Sequence, residues 1–498
     1  RKKGNIGGNL MTKALSLLLC LALLFSLAPV EIHAEEEEPV TLDLAQGSIV
    51  ISATGYAQGG GAETPYTGDY TIVQTDTTYV DKTIAVTGGA HKITMGSKVV
   101  IDVHAISDAC AFSIATGASV ELVLTRSVTL KSGSNKAGLA VPSGAAVTIS
   151  AESRYGALNA VGGDSGAGIG GAYNGSSSTG GNITILSGTV EATGGSSAAG
   201  IGGYGTGTGK DEQIHISGGK VTATGGSGSA GIGGGSGYSG TGENGQIIID
   251  GTAVVTATGR SGAGIGGGHT GNGTGTKGKV ILAGNSQVTA SSDSGAGIGS
   301  GPAFRSGNNN WPTSATGSYG EILITGDAVV EASADSGAGI GGGKPYANYG
   351  AVSSYGTGSN GKLTINGNAQ VTATSTQAAG IGGGYNSGSS SYLTNDAGVI
   401  SISGNARVET TGGRWGIGAD AYKNDGALKI SGGTVIARAT DETVTTACGI
   451  GKSGSTTITG GTVEASGYTG IAQATVNGGT VTATSLTAAS GVADLSAE

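Results

Sequence analysis

Four sets of residues in this sequence have types and spacings that suggest chemistry. Residues 261–268, "SGAGIGGG", place Gly262, Gly264 and Gly267 at the G-x-G-x-x-G spacing of a dinucleotide loop. Glu409, Arg438 and Glu464 form a carboxylate–cation–carboxylate series of the kind that serves as general acid and base on a glycosidic bond. Asp293 and Asp335 each precede an "SGAGIG" segment, and stacked carboxylates of this sort are potential oxygen ligands for Ca²⁺. The fourth set is aromatic. Three to six residues after the isoleucine of successive "GIG" segments stand Tyr173, Tyr204, Tyr238, His269, Phe304, Tyr346, Tyr385 and Tyr422, with Trp311 and Tyr349 further along the longest intervening stretches. Tyrosine set among Gly, Ser and Asn is the composition of adaptable binding loops. Its rings suit the C–H faces of sugars, and its polar neighbours suit their hydroxyls.

The first set fails a simple test. A cofactor loop is needed once, yet "AGIG" or a close variant recurs around Ile169, Ile201, Ile232, Ile265, Ile298, Ile340, Ile381, Ile417, Ile450 and Ile471. Self-similarity of that kind marks a repeat architecture, and no nucleotide is expected as a ligand. Each repeat holds three short apolar segments, as in "NITILSG", "GTVEATG" and "AAGIGG", and each segment alternates with period two. The turn between the first two is either I-x-G-G-x-V ("ISGGKV", Ile216 to Val221) or one residue longer ("ISGNARV", Ile402 to Val408). Gly and Asn there meet the demand of a corner for positive φ.

The shortest repeat decides the fold. Ile450 to Ile471 is 21 residues, enough for three strands and three tight turns but not for a helix. The longer repeats add nearly all their residues after the "GIGG" segment, so one corner of the coil is variable. This predicts an all-β, right-handed parallel β-helix of about 12–14 coils, three short strands per coil, over residues 81–485. Residues 35–80 read as an N-terminal extension or cap, and 486–498 as a C-terminal tail that is a weak cover for a strand edge, which points to a natural chain continuing past Glu498.

Residues 11–34 have the layout of a secretory signal: Lys13, an apolar run from Ala14 to Leu27, and a small residue, Ala34, for cleavage. Residues 1–10 hold no Met and read as an artefactual leader. The apolar run is too short for a comfortable membrane span, so none is expected after cleavage. The chain carries a net charge of −9, and removing 1–34 takes away four basic residues and one acidic one. An acidic exported chain without basic clusters is a poor partner for nucleic acid or an anionic membrane. Cys110 and Cys448 sit two residues before the equivalent hydrophobic position, where other repeats carry Ala, and read as small core thiols rather than a disulfide framework.

The "GIGGG" coil, with stretches such as "FSIATGASVELVL" (112–124) and "LAVPSGAAVTIS" (139–150), resembles the GIGGG-repeat parallel β-helix proteins secreted or displayed by bacteria, of the pectate-lyase-like class. The resemblance covers residues 80–485. It implies a secreted or cell-surface protein that binds carbohydrate in the manner of an adhesin, its partner an extracellular polysaccharide or a host or cell-surface glycan. The same class includes polysaccharide lyases and glycoside hydrolases, for which Glu409, Arg438 and Glu464 are the candidate catalytic residues. A coil spacing of about 4.8 Å sets the two glutamates roughly 10 Å apart, and a solvated surface network explains them equally well. The Asp pair is explained by turn capping, so no cofactor is expected, with Ca²⁺ the one considered. Outward Thr-x-Thr pairs such as Thr222/Thr224 and Thr256/Thr258 also suit an ice-binding solenoid, but Glu191, Glu331, Glu409 and Glu464 interrupt them. A bare structural stalk is the remaining alternative. Trp415, in "GRWGIG", fits either a local bulge or, with Arg414, an aromatic-cationic patch. The reading favoured is non-catalytic binding through the aromatic ridge.

Overall fold

A computed structural model describes residues 38–78, 80–173, 180–204, 213–236, 245–271, 274–275, 278–305, 314–317, 319–347, 355–357, 360–385, 393–394, 398–419, 426–441, 443–451, 455–490 and 494–497. The segments expected as leader and signal lie outside them. Pro39–Glu498 forms one compact unit. Among the described residues there is no α-helix, only a 3₁₀ turn at Leu44–Gln46.

The unit is a right-handed parallel β-helix whose strands join a single 42-stranded sheet. Each coil contributes one strand to each of three columns. In the first column Gln213–Ile216 pairs in parallel with Gln246–Ile249, and that with Lys279–Leu282. In the second, Lys220–Thr224 pairs with Val254–Gly259, and that with Gln287–Ser292. In the third, Ile232–Gly233 pairs with Ile265–Gly266, and that with Ile298–Gly299. Period-two alternation in the sequence becomes alternation of burial: Ile183 and Ile185 are buried with Thr184 between them, and Val190 and Ala192 face the same interior. The isoleucine of every "GIG" from Ile169 to Ile471 has no exposed surface. Stacked like on like, these residues fill the shaft as one continuous cluster. The alanine row of the second strand is broken once, where Thr410 stands between Ala373 and Ala437 with its hydroxyl buried and unpartnered.

The stack runs past both boundaries read from the sequence. Val40–Asp43 pairs in parallel with Tyr70–Val73, and Ile49–Ile51 with Ile84–Val86, so the stretch 35–80 already contains strands of the shaft. Its covering element is a short antiparallel addition: Gly55–Gln58 lies along the free edge of Ile49–Ile51 and Thr64–Pro65 along Gly55–Gln58. This satisfies an edge that would otherwise be open to pairing. Tyr56, Tyr66 and the fully buried Tyr70 pack edge to face beneath it, with ring centroids 5.3–6.4 Å apart. At the other end Thr469–Ala483 pairs with Leu486–Ser490 and Asp494–Ala497, inside the expected tail.

The third strand is held by its glycines. From Ile169 to Ile417 the residue after the isoleucine is a glycine with φ of +129 to +151°, as at Gly233, Gly299 and Gly341, a region that side chains rarely enter. A Cβ on Gly299 would also lie 2.1 Å from the carbonyl oxygen of Gly341 in the next coil. Two costs therefore meet at one atom, about 1–3 kcal/mol of backbone strain and about 1–3 kcal/mol of overpacking. Gly60 has φ of +78° but nothing within 4 Å of a Cβ, so only backbone strain of about 1–2 kcal/mol applies there. Gly299→Ala should therefore lower the denaturant midpoint well beyond Gly60→Ala; equal midpoints would show that coil-to-coil contact does not set the cost.

Candidate functional site

The two-residue third strand brings its flanking corners close together. In the coils from Ile169 to Ile381 the alanine amide before "GIG" donates across the strand to the carbonyl four residues on, as from Ala263 to Gly267 (2.8 Å) and from Ala296 to Ser300 (2.9 Å). The chain then leaves through the variable corner at the fourth residue after the isoleucine, and that residue's amide reaches back to the turn before the third strand. Tyr173 N donates to Ser165 O (2.9 Å), His269 N to Gly228 O (2.7 Å), Lys344 N to Ser294 O (2.9 Å) and Tyr385 N to Ser336 O (2.8 Å). For the last three the acceptor belongs to the preceding coil. These bonds fix a ridge along the shaft.

Several expected binding residues lie on that ridge. Tyr173 is 40% exposed and meets Tyr204 edge to face with centroids 5.6 Å apart. Tyr204 is half-buried against Ala137, Ala167 and Ala198, so it covers the small residues beneath while offering an edge to its neighbour. His269 is partly buried, and desolvation holds its imidazole pKa below the usual value. Tyr385 lies beneath two cations, with the Arg414 guanidinium 5.0 Å and the Lys344 ammonium 5.9 Å from its centroid. Phe304 and Tyr346 are register partners where Ala303–Arg305 pairs with Pro345–Ala347, in a small sheet that the insertions build for themselves with Thr270–Gly271. A second such sheet aligns Thr274, Thr316, Thr357 and Thr394 in one row. Tyr238, Trp311, Tyr349 and Tyr422 lie outside the described residues. Trp415 sits in register between Ala379 and Cys448, nearly buried, and Arg414 stacks 5.9 Å over its ring. Of the two readings open for it, the aromatic-cationic patch is the one found.

The carboxylate–arginine series does not assemble as a triad. Glu409 and Glu464 both align with Ile436 in the coil between them, whereas Arg438 aligns with Thr411 and Ser466, one pleat further along. Arg438 does face outward, but in a different row, because it is the third residue after Val435 whereas each glutamate is the first after Val408 or Val463. Glu409 instead pairs with Arg407 on its own strand. Asp293 and Asp335 do occupy stacked turns: Ser336 N donates to Asp293 O (3.0 Å), and the Asp335 carboxylate accepts from Gln377 Nε2 (3.2 Å) and Ser336 Oγ (3.4 Å). Among the described residues no group of three or more His, Cys, Asp or Glu is placed to hold a metal.

Residues that sequence reasoning passed over line a groove on the corner between second and third strands. They include Ser196, Ser227 and Arg260 from the turns and Ser291, Ser333 and Thr374 from the strand ends. The signal was present: the residue five before successive "GIG" isoleucines is Asp164, Ser196, Ser227, Arg260, Asp293, Asp335 and Thr376, polar every time.

Cys110 and Cys448 are both thiols, not joined in a disulfide. Cys110 Sγ donates to Phe112 O (3.4 Å) and Ala137 O (3.5 Å), and burial pushes its thiol up to about 11. Since the thiolate is the reactive species, native Cys110 should alkylate with iodoacetamide at pH 8 about a hundredfold more slowly than in denaturant. Peptide mass mapping checks this, and equal rates would refute its protection.

A family model described as a beta helix repeat matches residues 183–207, 214–236, 247–269, 284–302, 322–344 and 363–385. The last five matches end on Ser236, His269, Pro302, Lys344 and Tyr385, each the fourth residue after its isoleucine, so the insertions fall between repeats. No curated protein and no solved structure gives a match. Among the described residues no helix is long and apolar enough to cross a membrane. Six segments of the chain are thus similar to a beta helix repeat, in keeping with the parallel β-helix fold that the three stacked columns show.

Proposed function

We propose that this β-helix is a secreted or cell-surface protein that binds carbohydrate without cleaving it, through the aromatic ridge on its variable corner. The observation that carries the reading is the edge-to-face pair of Tyr173 and Tyr204, continued along the ridge by Tyr385 with Arg414 and Lys344 over its ring. Exposed ring edges beside cations and hydroxyls present stacking surface and hydrogen-bond donors together, as a sugar requires, and they stand on loops positioned by a rigid scaffold. The export reading rests on the signal-like segment at 11–34. Catalysis by Glu409, Arg438 and Glu464 is the weaker alternative, because Ile436 occupies the place between the glutamates and the arginine is offset from both.

A glycan array tests the proposal, run with the chain and with Tyr173→Ala/Tyr204→Ala/Tyr385→Ala. The expected result is binding by the parent and at least tenfold weaker binding by the variant, since aromatic stacking is worth about 1–3 kcal/mol per ring in comparable sites. A silent array for the parent would overturn the carbohydrate reading in favour of a stalk or a protein-binding adhesin.

A further inference from the structure

The ridge is not the most extensive surface feature. Along the corner between second and third strands run two hollows of about 700 and 550 Å³, which abut at the consecutive residues Thr258, Gly259 and Arg260 and so make one groove parallel to the shaft. Along the smaller hollow one edge is a row of strand-end hydroxyls, Thr258, Ser291, Ser333, Thr374 and Thr411, in register from coil to coil. The other edge of the groove is the row of turn residues Ser196, Ser227, Arg260, Asp293 and Asp335.

The backbone between these rows is already committed. Gly194 N donates to Thr224 O, Gly225 N to Thr258 O, Gly195 N to Gly166 O and Gly226 N to Ala198 O, while the carbonyls of Gly195 and Gly226 accept from Ala198 and Ser229. A peptide therefore finds no main-chain ladder to extend. Recognition falls to the two rows of side chains, which repeat at the coil spacing of about 4.8 Å. Such a surface complements a long ligand with hydrogen-bonding groups at regular intervals on both edges. Arg260, midway, has no ion-pair partner among the described residues. Asp293 and Asp335 set negative charge beside it, which disfavours a polyanion.

We propose that this groove binds one extended chain of an uncharged linear polysaccharide lying along the shaft axis, with Arg260 and Asp293 as central anchors. This rests on the carbohydrate reading above but assigns chain-length and charge selectivity to a surface separate from the ridge.

Calorimetry on the full chain tests it, with cellohexaose, xylohexaose and mannohexaose, their disaccharides, and hexagalacturonate. At least one neutral hexasaccharide should bind tenfold or more tightly than its disaccharide and than hexagalacturonate. Arg260→Ala/Asp293→Ala should weaken that binding at least tenfold. Ser227→Trp, which fills the groove without altering charge, should do the same, and an unchanged melting curve for either variant shows that the loss is local. Equal affinity for hexamer and dimer, preference for hexagalacturonate, or full binding by folded groove variants would overturn the groove proposal. If binding were then lost only in the tyrosine variant, the ridge reading would stand alone. No binding to any of these sugars or to the array would overturn both.

Discussion

The structure depends on a steric constraint at one glycine per coil. In the coils from Ile169 to Ile417 the third strand ends on an isoleucine and a glycine, and the glycine takes φ of +129 to +151°, in all but the last with a Cβ position that would meet the carbonyl of the next coil. No other residue meets both conditions. The glycine before the isoleucine is equally confined: a Cβ at Gly231 would stand 2.6 Å from Thr258 N. Once these positions are glycine, the coil can close in so few residues, the isoleucines stack, and each backbone amide of the strand finds its partner one coil away. Low charge and abundant glycine, which in an irregular sequence would favour disorder, here belong to a packed interior.

The same short strand explains why the functional surfaces are neighbours. Because its two ends are bridged by an alanine amide and a carbonyl only four residues apart, the groove corner and the variable corner open beside each other. Insertions of very different length leave from the same fourth residue, so their length does not disturb the stack. Loop length costs little once both ends are fixed. The insertions that pair with one another, from Thr270–Gly271 through Pro345–Ala347, extend the parallel register outward from the shaft.

The architecture was legible because its signal is redundant: nine "GIG" isoleucines, the related Ile471 and a 21-residue coil leave little room for another fold. The ends were less legible for the opposite reason. Val40–Asp43 and Tyr70–Val73 stack without any "GIG" between them, and their cover is a hairpin addition peculiar to that place. Arg438 was misplaced although the information was there. Counted from the valine that follows each turn, Glu409 and Glu464 are the next residue after Val408 and Val463, while Arg438 is the third after Val435. Alignment by order of appearance, rather than by the buried anchor, lost the pleat. The aromatic ridge was visible as residue types, but its direction across the preceding turn depends on amide bonds that composition does not encode.

The groove was missed because its parts read singly as ordinary: a threonine on a solvent face, a serine in a turn, an aspartate capping a bend. Only stacking makes them a surface, since a solenoid multiplies whatever stands at a given position into a row. A residue of modest individual value is then repeated along a line, and affinity for a repeating ligand can grow with the number of coils engaged rather than with any one contact. In a compact enzyme, by contrast, function concentrates in a few side chains. Here backbone bonding is spent on the stack, so specificity must be written in the outward positions, and the spacing of a ligand along the shaft is set by the distance between strands.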